Sequence, residues 1–485
     1  MDFKLVNRLL AKLSLAFTAV MLIPFIAALV LDREHIWIFA FSLIASLTVA
    51  SFLSLHSNNR SRQRLRVREA IAVVGCGWLL VCLMGAIPYF LYNPTDPLAA
   101  FFESVSGFTT TGVTTARSFN EFPRSILVWR CLTHWTGGIG VIMLFIIIMP
   151  QMNGGTSYLF NAELPGAVAE RTLPKIKASA ALILAIYFSL TWVEIGLLML
   201  SGLPFFQAFN LALATMATGG FSYYHDSLIS FHNVAAEVIA IFFMLISSMN
   251  FSLYYKLWRG DWQAVKQDSE HRYYLALILV ATLLICGDLY FHDYLSFGQS
   301  LRHSFFQAVS IASTTGFASD DFNNWPSFSR YLLLMLMFVG GCSGSTAGGI
   351  KISRMVILLK AGWAELLRTL HPRIIYSVKM GKRDIDPVIV GNITRFFFLY
   401  IFVFMILSVL ISISGISVLE SFGIVAACMS SVGPAFGIVG PTSTYAYLPD
   451  WARFISVVAM LLGRLEIFTL LAIMRPDFWR DKQNW

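Results

Sequence analysis

The sequence is short of charge. Asp, Glu, Lys and Arg make up 13% of its 485 residues, about half of the roughly 25% that a soluble domain carries. With 57% of residues hydrophobic, a set of water-soluble domains is excluded, as are disorder, coiled coil and collagen. Metal-binding cysteine patterns are missing too. The six cysteines, Cys76, Cys82, Cys131, Cys286, Cys342 and Cys428, mostly sit in apolar runs without a C-x-x-C or Cys/His spacing, and read as small buried apolar residues. No cleavable signal is expected: the first apolar run, about Leu10 to Leu31, is long enough to span a bilayer and lacks a clear small-residue cleavage site. No nucleophile elbow, zinc signature or dinucleotide fingerprint occurs, and His134, Glu194 and Asp288 stand isolated in the sequence. Catalysis has no constellation to rest on, so the chain is expected not to be an enzyme. What remains is a polytopic membrane protein.

A spanning helix needs roughly 20 apolar residues, and such segments recur about ten times, near 10–31, 36–56, 70–92, 128–150, 178–202, 233–257, 273–293, 330–360, 390–414 and 451–474. Lys and Arg orient them. One link carries Arg60, Arg62, Arg64, Arg66 and Arg68, and alternate links add Arg171, Lys175 and Lys177, then Lys256, Arg259, Lys266 and Arg272. A fourth basic link holds Arg368, Arg373, Lys379, Lys382 and Arg383, and the tail holds Arg475, Arg480 and Lys482. The opposite links at 203–232 and 416–450 contain no Lys or Arg. Both termini are therefore expected in the cytoplasm. The net charge of +8 follows from this topology; basic residues spread over short loops do not form a nucleic-acid surface.

The links expected outside hold a repeat. Each contains an apolar stretch too short to span, then a Gly/Thr/Ser cluster: FFESVSGFTTTGVTT, FNLALATMATGGFS, FFQAVSIASTTGFAS and FGIVAACMSSVGPAFG. Anchored on Gly112, Gly220, Gly316 and Gly433, they share Phe101, Phe209, Phe305 and Phe422 eleven residues upstream. A small residue (Ser106, Ala214, Ser310, Ala427) stands six before the anchor and a hydroxyl (Thr110, Thr218, Thr314, Ser431) two before it. Each copy lies between two spans. The chain reads as an all-α integral membrane protein of four membrane–pore-loop–membrane repeats around one pore, after two extra N-terminal helices. The units are 1–69 (the two leading helices and their basic link), 70–177, 178–272, 273–389 and 390–485.

Non-helical backbone at membrane depth is tolerated where protein or a water-filled path surrounds it. Four such loops around one axis present carbonyls that can replace the hydration shell of a monovalent cation, with the C-terminal dipole ends of four short helices aimed at the ion. Glycine reaches the backbone angles this requires, and the four hydroxyls can add ligands or hold the loop. No carboxylate lies within two residues of an anchor, whereas a hard divalent ion prefers carboxylates. Glu103, Asp226, Asp320, Asp321 and Glu420 flank the loops and read as solvated loop charges in preference to a cation-concentrating mouth.

These motifs, with the later segment GGCSGSTAGGIKISR, resemble the Trk/Ktr/HKT potassium uptake superfamily over essentially the whole chain, most closely its bacterial TrkH type. The resemblance implies a K+ filter built from Thr110, Thr111, Gly112 and Val113; Thr218, Gly219, Gly220 and Phe221; Thr314, Thr315, Gly316 and Phe317; and Ser431, Val432, Gly433 and Pro434. K+ is the only metal expected, and no cofactor. Members with serine at the first anchor tend to carry sodium; Gly112 here implies potassium. The Val432-Gly433-Pro434 stretch departs most from the pattern. The resemblance further implies a homodimer in the bacterial cytoplasmic membrane and separate TrkA-type nucleotide-binding subunits. It leaves channel-like passage and H+-coupled symport both open. An alternating-access carrier also uses repeats and broken helices, but four parallel repeats favour a single pore.

Two features suggest a gate. The eighth apolar segment is interrupted by CSGSTAGG, residues 342–349, poorly suited to a continuous helix. A broken helix with a loop of Gly344, Ser345, Thr346, Ala347, Gly348 and Gly349, followed by Lys351, is expected; the alternative is a kink for close helix packing. The resemblance places this loop beneath the filter. It is not a phosphate loop, because Ile350 separates Gly349 from Lys351 and a Walker motif needs Gly-Lys-[ST]. Arg464 lies within the last apolar segment, where a charge is expensive and faces protein or water. It either faces the pore as a barrier to cations or pairs with Glu466 or Glu194; the resemblance favours the pore.

Overall fold

The computed structural model describes residues 1–57, 66–119, 122–140, 173–371, 377–381, 383–465 and 467–479. Arg60, Arg62, Arg64, Arg171, Arg373, Lys382, Glu466, Arg480, Lys482 and the second half of the fourth expected span lie outside these residues. The described chain is predominantly helical. Its strands are the two-residue pieces Lys379–Met380 and Arg383–Asp384, paired antiparallel.

Two helices, Phe3–Leu31 and Ile36–Leu55, lead the chain and pack on each other. After them a long helix, a short helix and a second helix recur. The first set is Val67–Tyr92, Pro97–Phe108 and Arg124–Gly138, and the second Leu173–Leu200, Phe205–Met216 and Val234–Ser248. The third is Ser269–Phe291, Phe297–Ala312 and Ser327–Val339, and the fourth Pro387–Ser412, Val418–Met429 and Asp450–Arg464.

Ten spans were expected. Among the described residues, six helices are long and apolar enough to cross a membrane, or eight if two bent pairs each count as one. Val234–Ser248 turns by 94° into Phe251–Trp258, and Asp450–Arg464 by 113° into Ile467–Met474. The first bend has a visible cause. The carbonyls of Ser247 and Ser248 accept from Thr346 N–H (3.3 Å) and Cys342 N–H (2.9 Å), so they are occupied by another segment and the helical ladder stops. Asn250 then caps the next helix through Ser252 N–H at 2.9 Å. The eighth segment is broken as the glycines suggested: Ser327–Val339 ends, residues 340–351 run as loop, and Ile352–Leu370 resumes. Arg464, expected within a continuous span, is instead the last residue of its helix, at the bend.

Two of the four short helices start on a side-chain cap. Asp96 accepts from Ala99 N–H at 2.9 Å ahead of Pro97, and Ser417 caps Val418–Met429; side-chain acceptors at these positions satisfy otherwise orphaned amides. Asp96 also meets Arg453 at 2.7 Å, joining the first short helix to the last set. Burial alone would raise the Asp96 carboxyl, but the Arg453 and backbone hydrogen bonds outweigh it and hold the group below its ordinary value.

Close approach sets the packing around these helices. A Cβ on Gly137 would overlap the backbone oxygen of Phe108, and one on Gly463 that of Met429. Gly137→Ala is therefore expected to destabilise the fold by about 1–3 kcal/mol, read as a lower melting temperature of the purified protein.

Candidate functional site

All four short helices end in one motif. The N–H of Thr110, Thr218, Thr314 and Ser431 donates to the carbonyl three residues back (Gly107, Thr215, Ile311, Cys428) at 2.9–3.3 Å. The next N–H, of Thr111, Gly219, Thr315 and Val432, donates five residues back (Ser106, Ala214, Ser310, Ala427) at 2.9–3.0 Å. This is the Schellman C-cap, whose capping residue is left-handed and usually glycine. Here it is a hydroxyl residue, with φ of 55°, 51°, 58° and 55° in chain order. A non-glycine residue at such angles costs of order 1–3 kcal/mol, so the surroundings hold it there. Two residues on, Gly112, Gly220, Gly316 and Gly433 are left-handed again, at φ of 80°, 80°, 78° and 105°.

The loops meet in a closed order. A Cβ on Gly112 would strike the Gly219 carbonyl oxygen of the second loop, and one on Gly220 the Thr315 oxygen of the third. One on Gly316 would strike the Val432 oxygen of the fourth, and one on Gly433 would lie 2.7 Å from the Thr111 oxygen of the first. Each anchor faces a main-chain oxygen of its neighbour, and the fourth returns to the first. A cavity on one side of the ring is lined by residues of all four loops, among them Gly112, Gly220, Gly316 and Pro434. The Thr111 and Thr315 hydroxyls turn back to Thr109 and Ser313, at 2.8 Å each.

On the opposite side, residues 340–351 lie against the hydroxyl residues. Gly348 N–H donates to Thr314 Oγ1 at 2.7 Å, and Thr346 Oγ1 stands 3.4 Å from Thr218 Oγ1. A Cβ on Gly348 would sit 3.0 Å from that of Ser431. The Arg464 guanidinium donates to Thr110 Oγ1 (3.4 Å), Thr346 O (3.3 Å), Gly137 O (2.5 Å) and Gly138 O (3.2 Å). It thus bridges the first loop, the interrupting segment and the end of helix Arg124–Gly138. Lys351, left-handed at φ 81°, donates its Nζ to Ala347 O. Gly340, Gly344 and Gly349 carry the remaining left-handed turns, and Ser343 N–H is held by Glu270 at 2.7 Å. Ser345 Oγ donates to Cys342 O at 2.5 Å. A second cavity beyond this segment is lined by Lys351, Arg354 and Arg464 among others.

One expectation is corrected. Glu103 is not a solvated loop charge: it is 4% exposed and meets Arg130, 1% exposed, at 3.3 Å. Its other oxygen accepts from Thr114 Oγ1 and Thr115 N–H, both at 2.6 Å, because the carboxylate reaches back over the loop that its own helix precedes. Arg130 and His134 were missed as neighbours of the loops; the available signal was an arginine in an otherwise apolar helix segment. The Glu194 carboxylate has no hydrogen-bond partner among the described residues, so it does not pair with Arg464.

Comparison with known proteins gives the family. The family model for TrkH, described as cation transport protein, matches residues 35–275 and 271–480. The Trk system potassium uptake protein TrkH of Halomonas elongata is 35% identical, over 99% of this chain and 100% of the relative. Its Escherichia coli K12 counterpart is 34% identical over the same shares. The crystal structure of the potassium transporter TrkH from Vibrio parahaemolyticus superposes with a TM-score of 0.88 at 31% identity, covering 99% of this chain and 100% of that one. These relatives are transporters, in keeping with the expectation of no enzymatic activity. The chain belongs to the TrkH family of cation transport proteins.

Proposed function

We propose that this chain carries potassium across the bacterial cytoplasmic membrane through a filter of main-chain carbonyls. The observation that carries the reading is the closed order of the four loops, in which each anchor glycine faces a peptide oxygen of the next. Oxygens so gathered replace water around a weakly hydrated ion, and the absence of carboxylates at the anchors disfavours a divalent one. The relatives' names, potassium uptake proteins and a potassium transporter, support the same ion. The four long–short–second helix sets are then four pore units around one axis, with residues 1–69 as an added pair and unit boundaries near 177, 272 and 389.

Residues 344–349 with Lys351 and Arg464 form the gate in this reading. The segment meets Thr218, Thr314 and Ser431 while Arg464 meets Thr110, and two cationic side chains beside it raise the barrier for another cation. Both termini face the cytoplasm by the distribution of basic residues. The protein works as a homodimer with TrkA-type nucleotide-binding subunits on its cytoplasmic side, which move the gate by preferring one of its states.

The deciding experiment is ⁸⁶Rb+ uptake into proteoliposomes of the purified chain, competed by K+, Na+ and Li+. Competition by K+ well ahead of Na+ is expected; equal competition refutes the filter. Gly112→Ser places a side chain against the Gly219 carbonyl and is expected to weaken K+-over-Na+ discrimination in the same assay. Deleting residues 344–349, or Arg464→Ala, is expected to raise ⁸⁶Rb+ flux by about tenfold; wild-type flux from correctly folded variants would remove the gate assignment.

A further inference from the structure

The four loops are not braced alike. Ser106 Oγ donates to Val113 O and Ser310 Oγ to Phe317 O, each at 2.6 Å. These bonds fix the carbonyl just past the anchor in the first and third loops. Ala214 and Ala427 occupy the corresponding positions of the second and fourth and have no hydroxyl to offer. The fourth loop has a substitute, because Tyr445 OH donates to Gly433 O at 3.2 Å.

The second loop is held from the side. Arg130 and His134 lie four residues apart on helix Arg124–Gly138, hence on one face of it. The Arg130 guanidinium sits 4.0 Å from the ring centre of Phe221, the residue after the second anchor, and 4.4 Å from that of Phe119. The His134 ring lies 3.9 Å from Phe221, and its Nδ1 bonds to Gly107 O at 2.8 Å. Gly219 is glycine because a Cβ there would enter the His134 ring at 2.5 Å. Glu103 anchors the assembly: one oxygen holds Arg130 and the other holds Thr114 and Thr115 of the first loop. The Thr114 carbonyl in turn accepts from Tyr445 N–H at 2.8 Å.

We infer that Arg130 is a specificity-determining positioning residue: clamped by Glu103 and flattened between Phe119 and Phe221, it sets the spacing of the first and second loops and hence the size of ion the ring accepts. This rests on the filter reading above. A planar guanidinium stacks on aromatic faces and still pairs with a carboxylate, which an ammonium does not do equally. Buried cation–π contacts are stronger than exposed ones.

The test measures ⁸⁶Rb+ uptake and its inhibition by Na+ in proteoliposomes of the full chain. Arg130→Lys keeps the charge and loses the plane. Phe119→Leu removes one of the two rings facing the guanidinium and leaves residues 110–113 and 218–221 themselves unchanged. Each is expected to lower the K+-over-Na+ ratio about five- to tenfold, with monodisperse protein recovered in both cases. A purely structural role would lower yield or melting temperature at constant ratio; an unchanged ratio in folded Arg130→Lys overturns the inference. If that variant does not fold, an unchanged ratio in Phe119→Leu overturns it. A wild-type protein that fails to prefer K+ refutes the filter itself, an outcome read before any variant is compared.

Discussion

The loops that carry the candidate site obey one requirement: polar backbone set among apolar helices must find its partners in protein. The four short helices meet it at their ends by folding two amides back onto their last turn. Residues 340–351 meet it by borrowing. Their amides take carbonyls from Ser247 and Ser248, which bends the helix that gave them up, and Phe251 N–H at the start of the continuation donates to Gly344 O at 3.1 Å. The bend of one element and the break of another are thus a single exchange of hydrogen bonds. Neither could be straightened alone without orphaning buried donors, at about 1–3 kcal/mol each.

The same requirement explains where hydroxyls stand. At the left-handed cap, glycine would be easier on the backbone, yet Thr110, Thr218, Thr314 and Ser431 occupy it. Their side chains lie between the ring of carbonyls and the segment beneath, where Thr314 accepts an amide and Thr110 a guanidinium. The backbone strain is offset by these contacts. In the proposed reading, the oxygens that meet an ion leaving the ring are the ones the closed segment holds, so passage and closure compete for the same atoms.

Much of this was legible in the sequence, for physical reasons. The anchor glycines and the hydroxyls two before them repeat because the C-cap demands left-handed angles at fixed offsets, and offsets survive in a linear string. The interruption at 342–349 was legible because three glycines and three hydroxyl residues within eight positions defeat a helix. The bends near Met249 and Leu465 were not. Hydropathy measures composition and is blind to a carbonyl that has been lent to a distant amide. Glu103 was misread because a carboxylate beside a loop looks the same whether it faces solvent or folds under the chain. Its partner Arg130 is 27 residues away, and only tertiary packing joins them.

The ring is assembled from four unequal segments of one polypeptide: Thr-Gly-Val, Gly-Gly-Phe, Thr-Gly-Phe and Val-Gly-Pro. In an assembly of identical subunits, any codon change would alter every quadrant at once. Here a single replacement touches one quadrant and leaves three intact. In the proposed reading, such a lineage can adjust ion preference in small, separately inherited steps, and asymmetry at Pro434 or Gly219 is tolerated because no rotational copy must share it.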